Sequence, residues 1–194
     1  MAIQPTQHET NSGGALHKAR EAAVVFLARR IKSESEVRRR LGRQYSASIV
    51  EQVVQWLKTK GFVDDAILAT EWRQQRERRG PRGAAMIRHE LLGQGIDRRV
   101  VDQALEGFDG PENAYQAARV WWLKHASIKS GANQSGSKNA SNEKLDRSKL
   151  RRRLWAYLQR RGFEYGLIGD TVRRLRSELS DPLDSGVDTD SDEQ

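Results

Sequence analysis

An all-α fold built from repeated three-helix units is what the sequence predicts, and three observations predict it. Apolar residues recur at helical spacing through most of the chain. Only four of 194 residues are proline, and β-branched runs are few, so little interrupts or competes with helix. Finally, Ile87, Leu91, Gly95-Ile96, Val100, Val101 and Leu105 reappear as Leu154, Leu158, Gly162-Phe163, Leu167, Ile168 and Val172, always 67 residues later. A constant offset across two helices and their turn marks an internal repeat. A hydrophobic fraction of 37% and a charged fraction of 31% argue against one large core and suit thin helical layers.

Residues 1–14 are polar, end in Ser12-Gly13-Gly14 and show no periodicity that would bury a face, which predicts a disordered tail. Repeat 1 follows at 15–61. Leu16, Ala19, Ala23, Phe26 and Leu27 make one stripe of its first helix. Ser33-Glu34-Ser35-Glu36 has the form of a capping box and opens a second helix with Val37 and Leu41 inward. A third helix after Ser46 buries Ile49, Val50, Val53, Val54 and Leu57, and Gly61 suits its C-terminal stop.

Repeat 2, at 62–108, opens on Phe62-Val63-Asp64-Asp65, with an aspartate suited to capping. Leu68, Ala69 and Trp72 face inward. The next helix is expected to begin near Pro81, a residue tolerated in a first turn, and carries Ile87 and Leu91. Aligning Ile96-Asp97 with Tyr45-Ser46 places Val100, Val101, Ala104 and Leu105 opposite Ile49, Val50, Val53 and Val54. Repeat 3, at 109–179, starts with the stripe Ala114, Ala117, Ala118 and Trp121. It is interrupted at 127–145 by a segment rich in Ser, Gly, Asn and Lys, expected to be a flexible insertion. Residues 180–194 form an acidic stretch after Asp181-Pro182, expected to be disordered.

Charge narrows the functional classes. The chain carries a net charge of +8, yet its last eighteen residues hold seven acids and no base, so the remaining body stands near +15. Such a surface favours polyanions, and nucleic acid or an acidic protein face fits better than lipid because no strongly apolar helix face accompanies the charge. No stretch approaches a membrane span, and the N-terminus does not resemble a signal peptide, which predicts a cytoplasmic protein. Cysteine is absent, so disulfides, thiol nucleophiles and thiolate metal sites are excluded. His8, His17, His89 and His125 are scattered without metal-ligand spacing, and Gly93-Gln94-Gly95 follows a helix, so it reads as a stop and not a phosphate loop. No catalytic constellation and no cofactor site emerge, and a binding protein is predicted, not an enzyme.

The candidate contacts are arginines, whose planar forks bond phosphates and carboxylates in pairs. They fall in three clusters: Arg38, Arg39 and Arg40; Arg73, Arg76, Arg79, Arg82 and Arg88; and Arg151, Arg152, Arg153, Arg160 and Arg161. With Val37 and Leu41 inward, Arg39 points nearly opposite the core. The clusters are not equivalent by repeat: Arg38 to Arg40 align with Arg88-His89-Glu90 and with Trp155-Ala156-Tyr157. Trp56, Trp72 and Trp121 fall on apolar stripes and read as core, whereas the pattern leaves Trp122 and Trp155 open.

Gly61-Phe62-Val63-Asp64-Asp65, then Ala69, Trp72 and Arg76, with Arg79-Gly80-Pro81, Ile87-Arg88, Glu90-Leu91 and Gly95-Ile96-Asp97, resemble the RecX family of bacterial regulators of the RecA recombinase. The resemblance is specific in repeat 2, fair in repeat 1 and weaker after Pro111. It implies three tandem three-helix repeats in an elongated, curved monomer that lodges in the groove of the RecA filament on single-stranded or duplex DNA. It further implies a non-enzymatic, mainly negative regulator that blocks strand exchange, slows coupled ATP hydrolysis and favours filament disassembly. The insertion and the acidic stretch depart from the family pattern. A second reading of three-helix units with tight turns is a helix-turn-helix regulator of duplex DNA, but Glu51, Gln52 and Gln55 on the third helix and the lack of dimeric symmetry count against it.

The acidic stretch is expected to compete with DNA for the basic surface. Deleting Asp181 to Gln194 should raise affinity for single strands at low salt, by a margin that shrinks as salt rises. Equal anisotropy titrations with and without those residues at low salt would remove this expectation.

Overall fold

The computed structural model describes residues 7–130 and 140–179, with side chains for 13–125 and 148–178, and all of the regular structure among them is helical. The helices are α1 (Gln7–Leu27), α2 (Glu34–Leu41), α3 (Ala47–Thr59), α4 (Asp65–Arg79), α5 (Ala84–Gly93), α6 (Arg98–Ala104), α7 (Gly110–Ser130), α8 (Ala140–Arg160) and α9 (Tyr165–Leu179). They gather into two compact units. One holds the chain up to Arg76 together with Ile87–Gly107, and the other holds Glu77–Met86 with the chain from Phe108 on.

In the first unit α1 packs on α2 and α3, and Ala19, Ala23, Val37, Leu41, Val53, Val54 and Leu57 form its core. Caps set where its helices start. The box at Ser33 is complete: its Oγ accepts from the Glu36 N–H at 3.1 Å, and the Glu36 carboxylate accepts from the Ser33 N–H at 3.3 Å. Asp64 caps α4 by accepting from Ala66 and Ile67 N–H groups at 2.9 and 3.0 Å, as the capping reading expects. Asp65 does something the pattern did not show, since its Oδ1 accepts from the Glu34 N–H at 2.9 Å and so serves the start of α2. Asp97 caps α6 through the Arg99 N–H.

In the second unit α7 packs against α8 and α9. The small face Ala114, Ala117 and Ala118 lets these helices come close, and Leu154, Leu158, Phe163 and Ile168 fill the space opposite. A polar staple closes one side, where the Tyr115 hydroxyl donates to Glu178 and Arg174 lies 3.8 Å over the Tyr115 ring and pairs with Glu112 at 3.1 Å.

The 67-residue offset is visible in geometry. Gly95 and Gly162 sit at φ of 78° and 77°, each after a helix whose last turn is closed in the same way: Ile96 N–H to Leu91 carbonyl and Phe163 N–H to Leu158 carbonyl. Ile87 and Leu91 are as fully buried as Leu154 and Leu158, and Val101 matches Ile168. The corresponding turn in repeat 1 is one residue shorter, running from Leu41 carbonyl to Tyr45 N–H, and needs no glycine in the left-handed region.

Three expected boundaries move. Gly13 and Gly14 lie inside α1, because glycine weakens a helix by about 1 kcal/mol without forbidding it. Pro81 precedes α5 by three residues, because the Gly83 N–H is drawn to the Arg161 carbonyl at 2.9 Å and its own carbonyl then starts the helix. The insertion is invaded from both sides, by α7 through Ser130 and α8 from Ala140. Residues 1–6 and 131–139 and the acidic stretch 180–194 lie outside the described residues.

Gly83 and Gly162 meet back to back, and a Cβ on Gly83 would stand 2.0 Å from the Gly162 carbonyl oxygen. Gly83→Ala and Gly162→Ala should each lower the urea midpoint more than Gly61→Ala. Gly61 shares the positive φ of Gly162 but has open space for a Cβ, so only the backbone cost of about 1–2 kcal/mol applies there. Equal losses for all three would contradict the close approach.

Candidate nucleic-acid interface

The arginines predicted to bind outward divide into those the fold occupies and those it presents. Arg38 belongs to the first group. Its Nε meets Glu34 at 2.8 Å and its Nη1 meets Glu51 at 2.6 Å, while Lys58 reaches the other Glu34 oxygen at 2.9 Å. The Arg38 hydrogen bond pulls the exposed Glu51 carboxyl down to about 2. Burial opposes ionisation of Glu34, but Lys58 and Arg38 together outweigh it and its pKa is lowered. Asp65 moves the other way, because burial pushes it up against the help of the Glu34 N–H.

The same pair recurs one repeat on. Arg88 donates from Nε and Nη2 to Asp102 Oδ1 at 3.2 and 3.1 Å, and Arg88 and Asp102 are the repeat equivalents of Arg38 and Glu51. Arg76 is held more firmly: Nε bonds Glu90 at 2.8 Å, its guanidinium lies 4.4 Å over Trp72, and the Trp72 indole N–H donates to the same Glu90 oxygen at 2.7 Å. With its side chain only 24% exposed, burial lowers its pKa. Arg73 donates to the Glu106 carbonyl at 3.3 Å, and Arg161 to the Pro81 carbonyl at 3.1 Å while covering the Tyr157 ring. Arg82 is half-buried.

The presented group is Arg39 and Arg40 on α2, Arg79 at the end of α4, and Arg151, Arg152, Arg153 and Arg160 on α8, all exposed. On α8, Leu150, Leu154 and Leu158 face the core, so the 100° step per residue fans three consecutive guanidinium groups across the opposite side. Isolated cations without an internal acid keep their donors for an external anion.

Trp121 is buried, as its stripe predicts, and Trp56 and Trp72 are half-buried. Trp122 and Trp155 pack partly against the second unit's core. Sequence reasoning did not single out Tyr165, which is 70% exposed at the start of α9 and meets Trp155 edge to face at 4.8 Å. The signal was available: both rings flank the Gly162 turn. No group of three metal-ligating side chains gathers among the described residues, and no helix there is long and apolar enough to cross a membrane.

Removing Arg38 tests the occupied class. The folded-state pKa values of Glu34 and Glu51 lie below the ordinary 4.5, so the stability they lend is present above that pH and is lost as pH falls toward about 2. Arg38→Gln should lower the melting temperature by a few degrees at neutral pH, and the gap from the unmodified chain should close across that window. A gap that stays constant down to the acid end would contradict the pairing.

Comparison with known proteins places these residues in a family setting. The sequence pattern of the first RecX three-helix domain matches residues 19–57 and that of the third matches 137–172. A regulatory protein RecX of Corynebacterium efficiens is 30% identical over 167 residues, covering 86% of this chain and 75% of its own. One of Clostridium acetobutylicum is 28% identical over 162 residues, covering 82% and 70%. In fold, the chain is similar to a crystal structure of RecX from Lactobacillus salivarius, with a TM-score of 0.65 at 16% identity over 85% of this chain and 99% of the other.

Proposed function

The chain belongs to the RecX family of regulatory proteins, and from that premise we propose that it regulates the RecA recombinase by binding, with no chemistry of its own. As a cytoplasmic monomer it lodges in the groove of the RecA filament on DNA, inhibits strand exchange and coupled ATP hydrolysis, and favours filament disassembly during recombinational repair and the SOS response. The observation that carries this reading is the presented set of arginines, exposed on α2, α4 and α8 and free of internal acids among the described residues. A filament offers them two anionic partners, DNA phosphates and acidic protein side chains. The occupied arginines Arg38, Arg76 and Arg88 belong to the fold and leave recognition to their neighbours.

Reading of duplex DNA through a third helix is disfavoured by a specific feature. The exposed side of α3 carries Glu51, a carboxylate held ionised, beside Gln52 and Gln55. Glu51 is already engaged by Arg38, and Gln52 and Gln55 carry no charge, so these positions offer phosphates no cation.

Added to RecA on single-stranded DNA at near-equimolar ratio, the protein should lower both ATP turnover and strand exchange. If both stay unchanged, the reading fails. Arg39→Glu with Arg40→Glu, or Arg79→Glu alone, should weaken filament binding by roughly tenfold or more with helicity retained, since reversing a presented cation turns attraction into repulsion. Arg76→Glu should instead unfold the chain at lower denaturant, because it sets a second carboxylate against Glu90.

A further inference from the structure

We propose that an open groove between α8 and α9 is a stacking subsite for a base of single-stranded DNA. The groove has a volume of about 750 Å³, ample for a nucleotide, and lies wholly within the second unit. Arg151 and Arg152 stand on one bank, Trp155 and Tyr165 supply rings, and Gly166 and Gly169 lie along the α9 side.

The repeat makes this groove an exception. At the positions of Arg38 with Glu51 and of Arg88 with Asp102, repeat 3 carries Trp155 and Gly169. The first two repeats fill the space between their second and third helices with an ion pair. Repeat 3 replaces the cation by an indole and the acid by a residue with no side chain, so Trp155 lies against bare helix: a Cβ at Gly169 would be 3.7 Å from the indole. An aromatic surface appears where the other repeats have a closed charge pair.

Two features argue that the opening receives something. Gly166 is the second residue of α9, a first-turn position, and a Cβ there would meet nothing within 4 Å. Internal packing therefore does not require the glycine, and its effect is to leave the groove clear beside Tyr165. Tyr165 itself is 70% exposed, with Trp155 against it at an interplanar angle of 65°, so a ring face remains open while the indole steadies it. Arg173 on the far rim pairs with Asp170, whereas Arg151 and Arg152 have no ion pair among the described residues and are placed to take the phosphates flanking a stacked base. An acidic peptide would use the cations but gain little from the rings and the cleared helix, so the base is the better fit.

The subsite rests on the proposed function only for the identity of the polymer, and it is tested without the recombinase. The full chain is titrated by anisotropy with labelled oligo-dT, with an abasic strand of equal length, and with polyglutamate as competitor. Oligo-dT should bind at least several-fold more tightly than the abasic strand. Tyr165→Ala should weaken oligo-dT about tenfold, within the range for the stacking of one base, and leave the abasic strand unchanged, while Tyr165→Phe retains affinity. Gly166→Leu should weaken oligo-dT comparably without loss of helix stability, because leucine favours helix and fills the groove. Arg151→Ala with Arg152→Ala should flatten the salt dependence by about 0.7 for each phosphate no longer neutralised, whereas Tyr165→Ala leaves the slope alone. Equal affinity for the two strands, or an unaffected Tyr165→Ala, overturns the subsite, and so does polyglutamate that competes only when Tyr165 is intact. If the oligo-dT results hold while RecA ATP turnover is unmoved by the protein, the subsite stands and the filament reading falls; the reverse pattern does the opposite.

Discussion

The structure depends on a hydrogen bond made twice, to the carbonyl just before a left-handed glycine. In the first unit the Ser33 hydroxyl donates to the Gln94 carbonyl at 2.6 Å, ahead of Gly95; in the second the Gly83 N–H donates to the Arg161 carbonyl at 2.9 Å, ahead of Gly162. Ser33 and Gly83 are repeat equivalents, as are Gln94 and Arg161. Each joint therefore sets the start of one repeat's second helix onto the last turn of the next repeat's second helix. Backbones this close exclude side chains: a Cβ on Gly95 would lie 2.3 Å from the Ser35 hydroxyl, and one on Gly162 would lie 2.6 Å from the Met86 Cβ. The left-handed backbone alone favours glycine at both positions, and the close approach reinforces it. Where the donor is a side chain, serine also caps its own helix. Where the donor is the backbone itself, the position can only be glycine.

Around these joints the chain uses charge inside before presenting it outside. Arg38, Arg76 and Arg88 each bond a carboxylate thirteen or fourteen residues away, which ties a helix to the one packed beside it. The exposed pairs of Arg38 and Arg88 contribute little individually, while the half-buried pair of Arg76 with Glu90 holds α4 to α5. With those cations neutralised locally, Arg39, Arg40, Arg79 and the α8 arginines are the members of the basic clusters that remain exposed.

Periodicity, caps and the 67-residue offset were legible because each is written in local residue types: Ser33 with Glu36, Asp64 before α4, Gly95 and Gly162 after a buried leucine. The connector before α5 was not, since the Pro81 carbonyl is held by the Arg161 side chain and the Gly83 N–H by the Arg161 carbonyl, some eighty residues on. Nor could sequence sort the arginines. The outward direction of Arg39 follows from Val37 and Leu41 facing inward, but that Arg38 ties α2 to α3 follows from the placement of Glu51 on the adjoining helix.

Alignment of the repeats by geometry resolves what composition blurred. Their basic clusters shift from repeat to repeat, which at first argues against a shared binding design. The shift has a physical origin at one equivalent position. Arg38 and Arg88 are satisfied by acids on the third helix, which turns both guanidinium groups toward the fold. At Trp155 the acid's place is taken by Gly169, there is no charge to neutralise, and the second helix of repeat 3 is free to carry Arg151, Arg152 and Arg153 on its outer side with an aromatic wall beside them. One pair of scaffold positions thus accommodates an ion pair twice and an open aromatic face once, and the difference follows from placing an indole where the cation stood on α8 and a hydrogen atom where the carboxylate stood on α9.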